Sequence, residues 1–191
     1  MIMIFLFGLS FLSISAHTEF NRYKVRNVII YGESNLMAFW LKYDNNFIKN
    51  IKISHSHIQA DTKQTEQLFV LPVKYFKTSI KRIKSDFKLM VKADEYPNIY
   101  IKFDEKVYER LAEEGVTQNL PVLISIGGVE RKISVNYTFV DNSGVDKFYK
   151  GLATINLDDF SLITPKHFFG LFKVKETIII TFEVLLLSKS N

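Results

Sequence analysis

The sequence predicts an all-β fold of about eight antiparallel strands, with one helix inserted between the early and the late strands. Three observations carry this. From Asp94 to Leu187 apolar and polar residues alternate in one segment after another, the period of a half-buried strand. Turn signals separate the segments, above all Gly127-Gly128, because glycine accepts the positive φ of a tight two-residue hairpin. Only Thr78 to Ala93 places its apolar residues at convincing helical spacing.

The elements follow in order. Met1 to Ala16 carries no charge, is too short an apolar run to span a bilayer, and ends in the small residues Ser13, Ser15 and Ala16. It reads as an export signal cleaved near Ala16, leaving one domain over residues 17–191. Arg26 to Tyr43 reads as strands around a Gly32-Glu33-Ser34-Asn35 interruption, and Asn45-Asn46 as a turn. Ile51, Ile53, His55 and His57 alternate with polar residues in a further strand, Asp61 to Glu66 reads as a polar loop, and Leu68 to Tyr75 as a short strand interrupted by Pro72. In the helix, Thr78 or Ser79 supplies the N-cap, and Ile80, Ile83, Phe87, Met90 and Val91 form one face. Glu105 to Glu114 reads as an excursion between strands. The later strands are Ile99–Phe103, Leu120–Ile126, Arg131–Phe139, Tyr149–Leu157 and Thr177–Leu187, with connections at Asp141–Gly144 and Pro165–Gly170. A sheet of this size closes into a barrel or splits into a sandwich.

Composition excludes several functions. The chain has no cysteine, hence no disulfide, thiolate metal site or cysteine nucleophile. No Ser/His/Asp order or glycine-rich phosphate loop stands out, and the adjacent acids Asp158-Asp159 and Glu113-Glu114 read as turn residues, so no catalytic residue is assigned and the chain reads as a non-enzyme. The net charge of +5 does not indicate nucleic acid, because no stacking platform with interleaved arginine accompanies it. His55 and His57 share a strand face, a spacing that permits two zinc or copper ligands, with His17, His167 or a carboxylate needed as a third. No ligand motif supports this, and the reading is of a solvated strand end with no metal and no cofactor.

Two features point to binding. Lys74, Lys77, Lys81, Arg82, Lys84, Lys88 and Lys92 face only Asp86, a local excess of +6. On a helix Lys81, Lys84, Lys88 and Lys92 form one stripe, which reads either as a solvated face or as a contact for an anionic head group or an anionic membrane surface. The alternating apolar residues Ile99, Ile101, Phe103, Ile133, Val135, Tyr137, Phe139, Ile155, Leu157, Ile178, Ile180 and Phe182 form the wall of the interior. Inward residues are apolar in a filled and in a hollow barrel alike, so the pattern does not choose between them.

An ordered set of short motifs resembles the YceI-like family of bacterial periplasmic lipid-binding proteins, with variants similar to those of Bacteroidetes-type members. It runs from Tyr31-Gly32-Glu33-Ser34-Asn35 with Phe39, through Leu71-Pro72-Val73, Lys77, Asp86-Phe87, Met90, Ala93 and Tyr96-Pro97-x-Ile99. It continues with Gly128-Val129-x-Arg131 and Gly151-x-x-x-Ile155-x-Leu157-x-x-Phe160, then Pro165, Gly170, Val174 and Ile178-x-Ile180-x-Phe182. The resemblance implies a lipocalin-like, extended antiparallel eight-stranded β-barrel in the periplasm, with the helix at its side or mouth. It also implies a carrier whose lumen holds a long-chain isoprenoid such as a polyprenyl phosphate or a quinone. The alternative is a structural or stress-related envelope interaction module with a packed core and no ligand. Monomer and homodimer are both compatible with the sequence.

Overall fold

The computed structural model describes residues 20–56, 63–104, 117–141, 147–164 and 173–188. The export segment, His17, His57, His167, the excursion at 105–114, the turn at 142–144 and the connection at 165–170 lie outside the described residues. Ten strand segments form one antiparallel sheet: β1 (Phe20–Glu33), β2 (Ala38–Tyr43), β3 (Lys49–Ser56), β4 (Lys63–Pro72), β5 (Phe76–Lys77), β6 (Asn98–Asp104), β7 (Gln118–Ile126), β8 (Val129–Asp141), β9 (Lys147–Asn156) and β10 (Thr177–Ser188). Their order is β3-β4-β6-β7-β8-β9-β10-β1-β2-β5.

Ten segments replace the expected eight because two strands are bent. β2 continues into β3 through a 3₁₀ turn at Asn45–Phe47, and β4 into β5 through another at Val73–Tyr75. The two bends lie opposite each other. Tyr43 pairs with Phe76 on one side of them and Lys49 with Val70 on the other, and between them the Asp44 N–H donates to the Tyr75 carbonyl at 3.2 Å. Counted as bent staves, every strand has a neighbour on both sides, and the meander closes into a barrel except where the bends face each other. Closure gives each described stave a partner on both sides, so no described stave is left as an open edge. The final pairing joins the ends of the described chain, Phe20 opposite Ser188. A bulge between Arg26 and Ile29 breaks that ladder, with Asn27 in the left-handed region at φ 52° and its side-chain amide donating to Glu183 Oε2 at 2.7 Å.

The alternation behaves as the sequence implies. Phe39, Leu41 and Tyr43 of β2 point inward between exposed neighbours, as do Tyr149, Gly151, Ala153 and Ile155 of β9. Gly127 and Gly128 make the β7–β8 hairpin at φ 57° and 81°. At Gly151 the demand is space: a Cβ there would lie 2.5 Å from the Phe182 ring, whose far end sits against the bare backbone.

Several boundaries differ from expectation. Asn45-Asn46 does not reverse the chain but bends one strand. Lys63 to Glu66 belongs to β4, because β3 supplies a ladder partner to polar residues that alone read as a loop. Strand β9 ends at Asn156, and Leu157 opens a 3₁₀ turn to Phe160, with the Asn156 side chain accepting from the Asp158 N–H. The helix α1 spans Lys81–Met90, shorter at both ends than Thr78–Ala93. Its N-cap is Ile80, because the Thr78 hydroxyl accepts the Ile80 N–H in a local turn at 3.4 Å. At the far end Lys92 turns left-handed at φ 52°, with Lys92 N–H on the Leu89 carbonyl and Ala93 N–H on that of Lys88. This is a Schellman stop, made here without glycine. Lys92 therefore leaves the helix, and the four-lysine stripe is reduced to Lys81, Lys84 and Lys88.

Candidate functional site: the barrel interior beneath the helix

The interior takes its residues from every stave. Of the residues the sequence assigned to the lumen, Ile99, Ile101, Phe103, Val135, Tyr137, Ile155, Leu157, Ile178, Ile180 and Phe182 are buried in the core. Ile133 and Phe139 are half-buried and pack against it. Leu157 reaches the core from the 3₁₀ turn, not from a strand.

The two halves of the barrel are filled differently. Away from the helix, aromatic rings interlock. Phe103 and Tyr137 meet Phe182 edge-on at 6.4 and 5.9 Å, Phe69 meets Phe103 at 5.4 Å, and Phe139 meets Tyr149 at 5.4 Å. Toward the helix the lining is mostly aliphatic. Ile99, Ile101, Val135, Ile178, Ile180 and Phe182 border a cavity of about 30 Å³ there, roofed by Phe87, Met90 and Val91 of the helix segment. A second cavity of about 30 Å³ lies between α1 and strands β1 and β2, again bordered by Phe87, Met90 and Ile178. Space of that size holds a water or two, not a lipid chain.

The sequence reading missed one wall of this chamber. Val28 and Ile30 of β1, Val122 and Ile124 of β7, and Ala153 of β9 also line it. Their alternation was visible, but nothing in the sequence says that the helix sits over these strands. The roof is fixed by the predicted apolar face: Ile83 and Phe87 are buried, and Phe87 meets Phe76 edge-on at 5.1 Å. Asp86, on the same side, is buried and held by Arg82 at 3.2 Å. The side chain of His55 lies outside the described residues.

Two tyrosines put hydroxyls into the interior. The Tyr43 hydroxyl donates to the Phe47 carbonyl at 3.1 Å, and its pKa is pushed up, first by burial and then by neighbouring Tyr75 and Asp44. The Tyr137 hydroxyl is buried with no hydrogen-bond partner among the described residues, and burial holds its pKa well above the ordinary 10.0. An unpaired buried donor costs about 1–3 kcal/mol. Tyr137→Phe is therefore expected to raise the unfolding free energy of ligand-free protein by about that amount in urea melts. A loss of stability would show that the hydroxyl has a partner.

The same burial sets an alkaline limit. A phenol whose pKa is raised on folding contributes stability that is complete below its unfolded value of 10.0 and is lost as pH rises toward the folded value. Ultraviolet titration should find Tyr43 and Tyr137 among the nine tyrosines ionising only as the protein unfolds. If all nine ionise together near 10.0 in folded protein, the burial of these two is wrong.

Comparisons with known proteins fit this architecture. No family model and no curated protein sequence matches the chain. Among solved structures, BcnA of Burkholderia cenocepacia aligns over 84% of this chain and 96% of its own, at 13% identity and a TM-score of 0.56. A polyisoprenoid-binding domain from Saccharophagus degradans aligns over 87% and 98%, at 11% identity and a TM-score of 0.59. A YceI protein of Campylobacter jejuni aligns over 75% and 82%, at 11% identity and a TM-score of 0.46. With the ordered motifs and the all-antiparallel barrel roofed by α1, the first two similarities establish that the chain has the YceI-like fold.

Proposed function

We propose that this protein is a periplasmic carrier that holds a long-chain isoprenoid, a polyprenyl phosphate or a quinone, in its barrel, after removal of residues 1–16. One observation carries the reading: both apolar cavities lie directly beneath α1, so unfilled apolar space in the interior sits under the helix that roofs it. A prenyl chain enters by displacing Phe87 and Met90 and takes over their contacts with the aliphatic wall. The name of the Saccharophagus degradans domain supports the ligand class. The Lys81, Lys84 and Lys88 side of the helix would meet an anionic bilayer surface during transfer.

The packed lower half favours a second reading, an envelope interaction module without ligand. Native mass spectrometry with organic extraction of freshly purified protein separates the two. A co-purifying prenyl species is expected. Protein that is ligand-free and also ignores added quinone and polyprenyl phosphate would establish the packed module instead.

A further inference from the structure

A cavity far larger than the two beneath the helix lies not in the barrel but on its outside. A groove of about 560 Å³ lies where the two bends interrupt the wall. That volume falls within the range of small-molecule sites. It is built by the bends themselves: Phe47 from one and Tyr75 from the other stack face to face, centroids 3.7 Å apart and planes 4° from parallel. The flanking residues bring three ammonium groups to the groove, Lys49 from β3, Lys74 from the second bend and Lys88 from α1, against the single carboxylate of Asp94. The nearby Asp44 carboxylate is taken by Lys77 at 2.7 Å, which holds its pKa below the ordinary carboxylate range. Lys49, Lys74 and Lys88 have no ion-pair partner among the described residues, and the Lys74 ammonium rests 4.9 Å from the Tyr75 ring centre. The buried Val73 lines the groove, while its near neighbours Leu71 and Phe76 line the inner chamber, so one layer of wall separates the two spaces.

We infer that this groove binds the anionic head group of an amphiphile, its phosphate among Lys49, Lys74 and Lys88 and the first part of its apolar body against Phe47. The inference rests on the carrier reading and selects within it: a prenyl phosphate satisfies the three ammonium groups, and a neutral quinone does not. Strand pairing is given up at two facing positions to make the groove, and among the described residues that line it three ammonium groups face one carboxylate. Both features have a use if an anion completes them.

Farnesyl phosphate, farnesol and inorganic phosphate serve as probes in calorimetric titrations of the full chain. The wild type is expected to bind farnesyl phosphate at least tenfold more tightly than farnesol, and inorganic phosphate more weakly than either. In the triple variant Lys49→Ala, Lys74→Ala, Lys88→Ala, that preference should vanish while farnesol binding is unchanged. Its circular dichroism and melting should match the wild type, since all three side chains project from the surface. Phe47→Ala should weaken both prenyl probes with less change in phosphate preference. Equal affinity of the wild type for farnesol and farnesyl phosphate overturns the groove and leaves the carrier reading standing. So does a triple variant that keeps the preference. Inorganic phosphate binding as tightly as farnesyl phosphate also overturns it, in favour of a free-anion site. A wild type that binds neither prenyl probe overturns the carrier reading itself, and the groove with it.

Discussion

Phe182→Ala is expected to lower the unfolding free energy by about 3–5 kcal/mol, the range for truncating a fully buried phenylalanine. Phe182 is the ring on which the lower half of the barrel converges. It is 4% exposed, lies against the bare backbone of Gly151, and meets both Phe103 and Tyr137 edge-on. Nothing can collapse into the space it leaves, because its neighbours are held by ladders on both sides: Gly151 pairs with Phe182 on one edge and with Tyr137 on the other. Phe182→Leu keeps most of the volume and should cost less than about 1.5 kcal/mol. Urea melts followed by circular dichroism compare the two. A Phe182→Ala loss below about 1 kcal/mol would mean that this half of the barrel repacks freely, contrary to the interlocked rings.

Phe87→Ala carries a cost of similar size, about 3–5 kcal/mol, with a different consequence. Phe87 is buried at 5% exposure and borders both cavities, so its removal merges them into one apolar space. An engineered apolar cavity on the order of 150 Å³ stays dry and takes up benzene or xenon. Benzene should therefore raise the melting temperature of Phe87→Ala and leave that of the wild type unchanged. Small folded domains have about 5–15 kcal/mol in hand, enough to keep this variant folded at low temperature. A variant as stable as the wild type would show that the helix does not seal the chamber. A destabilised variant that ignores benzene would show that the helix settles into the gap.

Local features were legible in the sequence; features set by distant partners were not. The alternation in Ile99–Phe103 and Ile178–Phe182 reports which side of a strand is dry, and that survives folding unchanged. The Gly127-Gly128 hairpin is equally local. By contrast, Lys63 to Glu66 is polar and reads as a loop, and only the ladder to β3 makes it a strand. The bend at Asn45–Phe47 looks like a turn because 3₁₀ geometry and chain reversal use the same residues, and only the pairing across it shows that the strand continues; the interruption at Pro72 is legible, but not that Val73–Tyr75 forms a second 3₁₀ bend opposite the first. The lysine stripe failed at Lys92 for a backbone reason, since the helical angle no longer applies beyond a left-handed residue. The groove was invisible for the same reason as the missed wall: it assembles Lys49, Lys74 and Lys88 from three elements whose proximity is decided by closure.

The pairing of β1 with β10 also governs when the barrel can form. Arg26 and Glu183, bonded at 2.9 Å across that seam, are 157 residues apart in sequence. While the chain is being synthesised, every stave from β1 to β9 can be present and the cylinder still stands open, with both flanking strands bare until the last one arrives. Contacts of such separation slow folding, because a long loop must be closed before any of its interactions is gained. A polypeptide with this topology closes its barrel only after β10 has been made. Until then the uncovered edges of β1 and β9 present unpaired backbone groups that can pair with other chains.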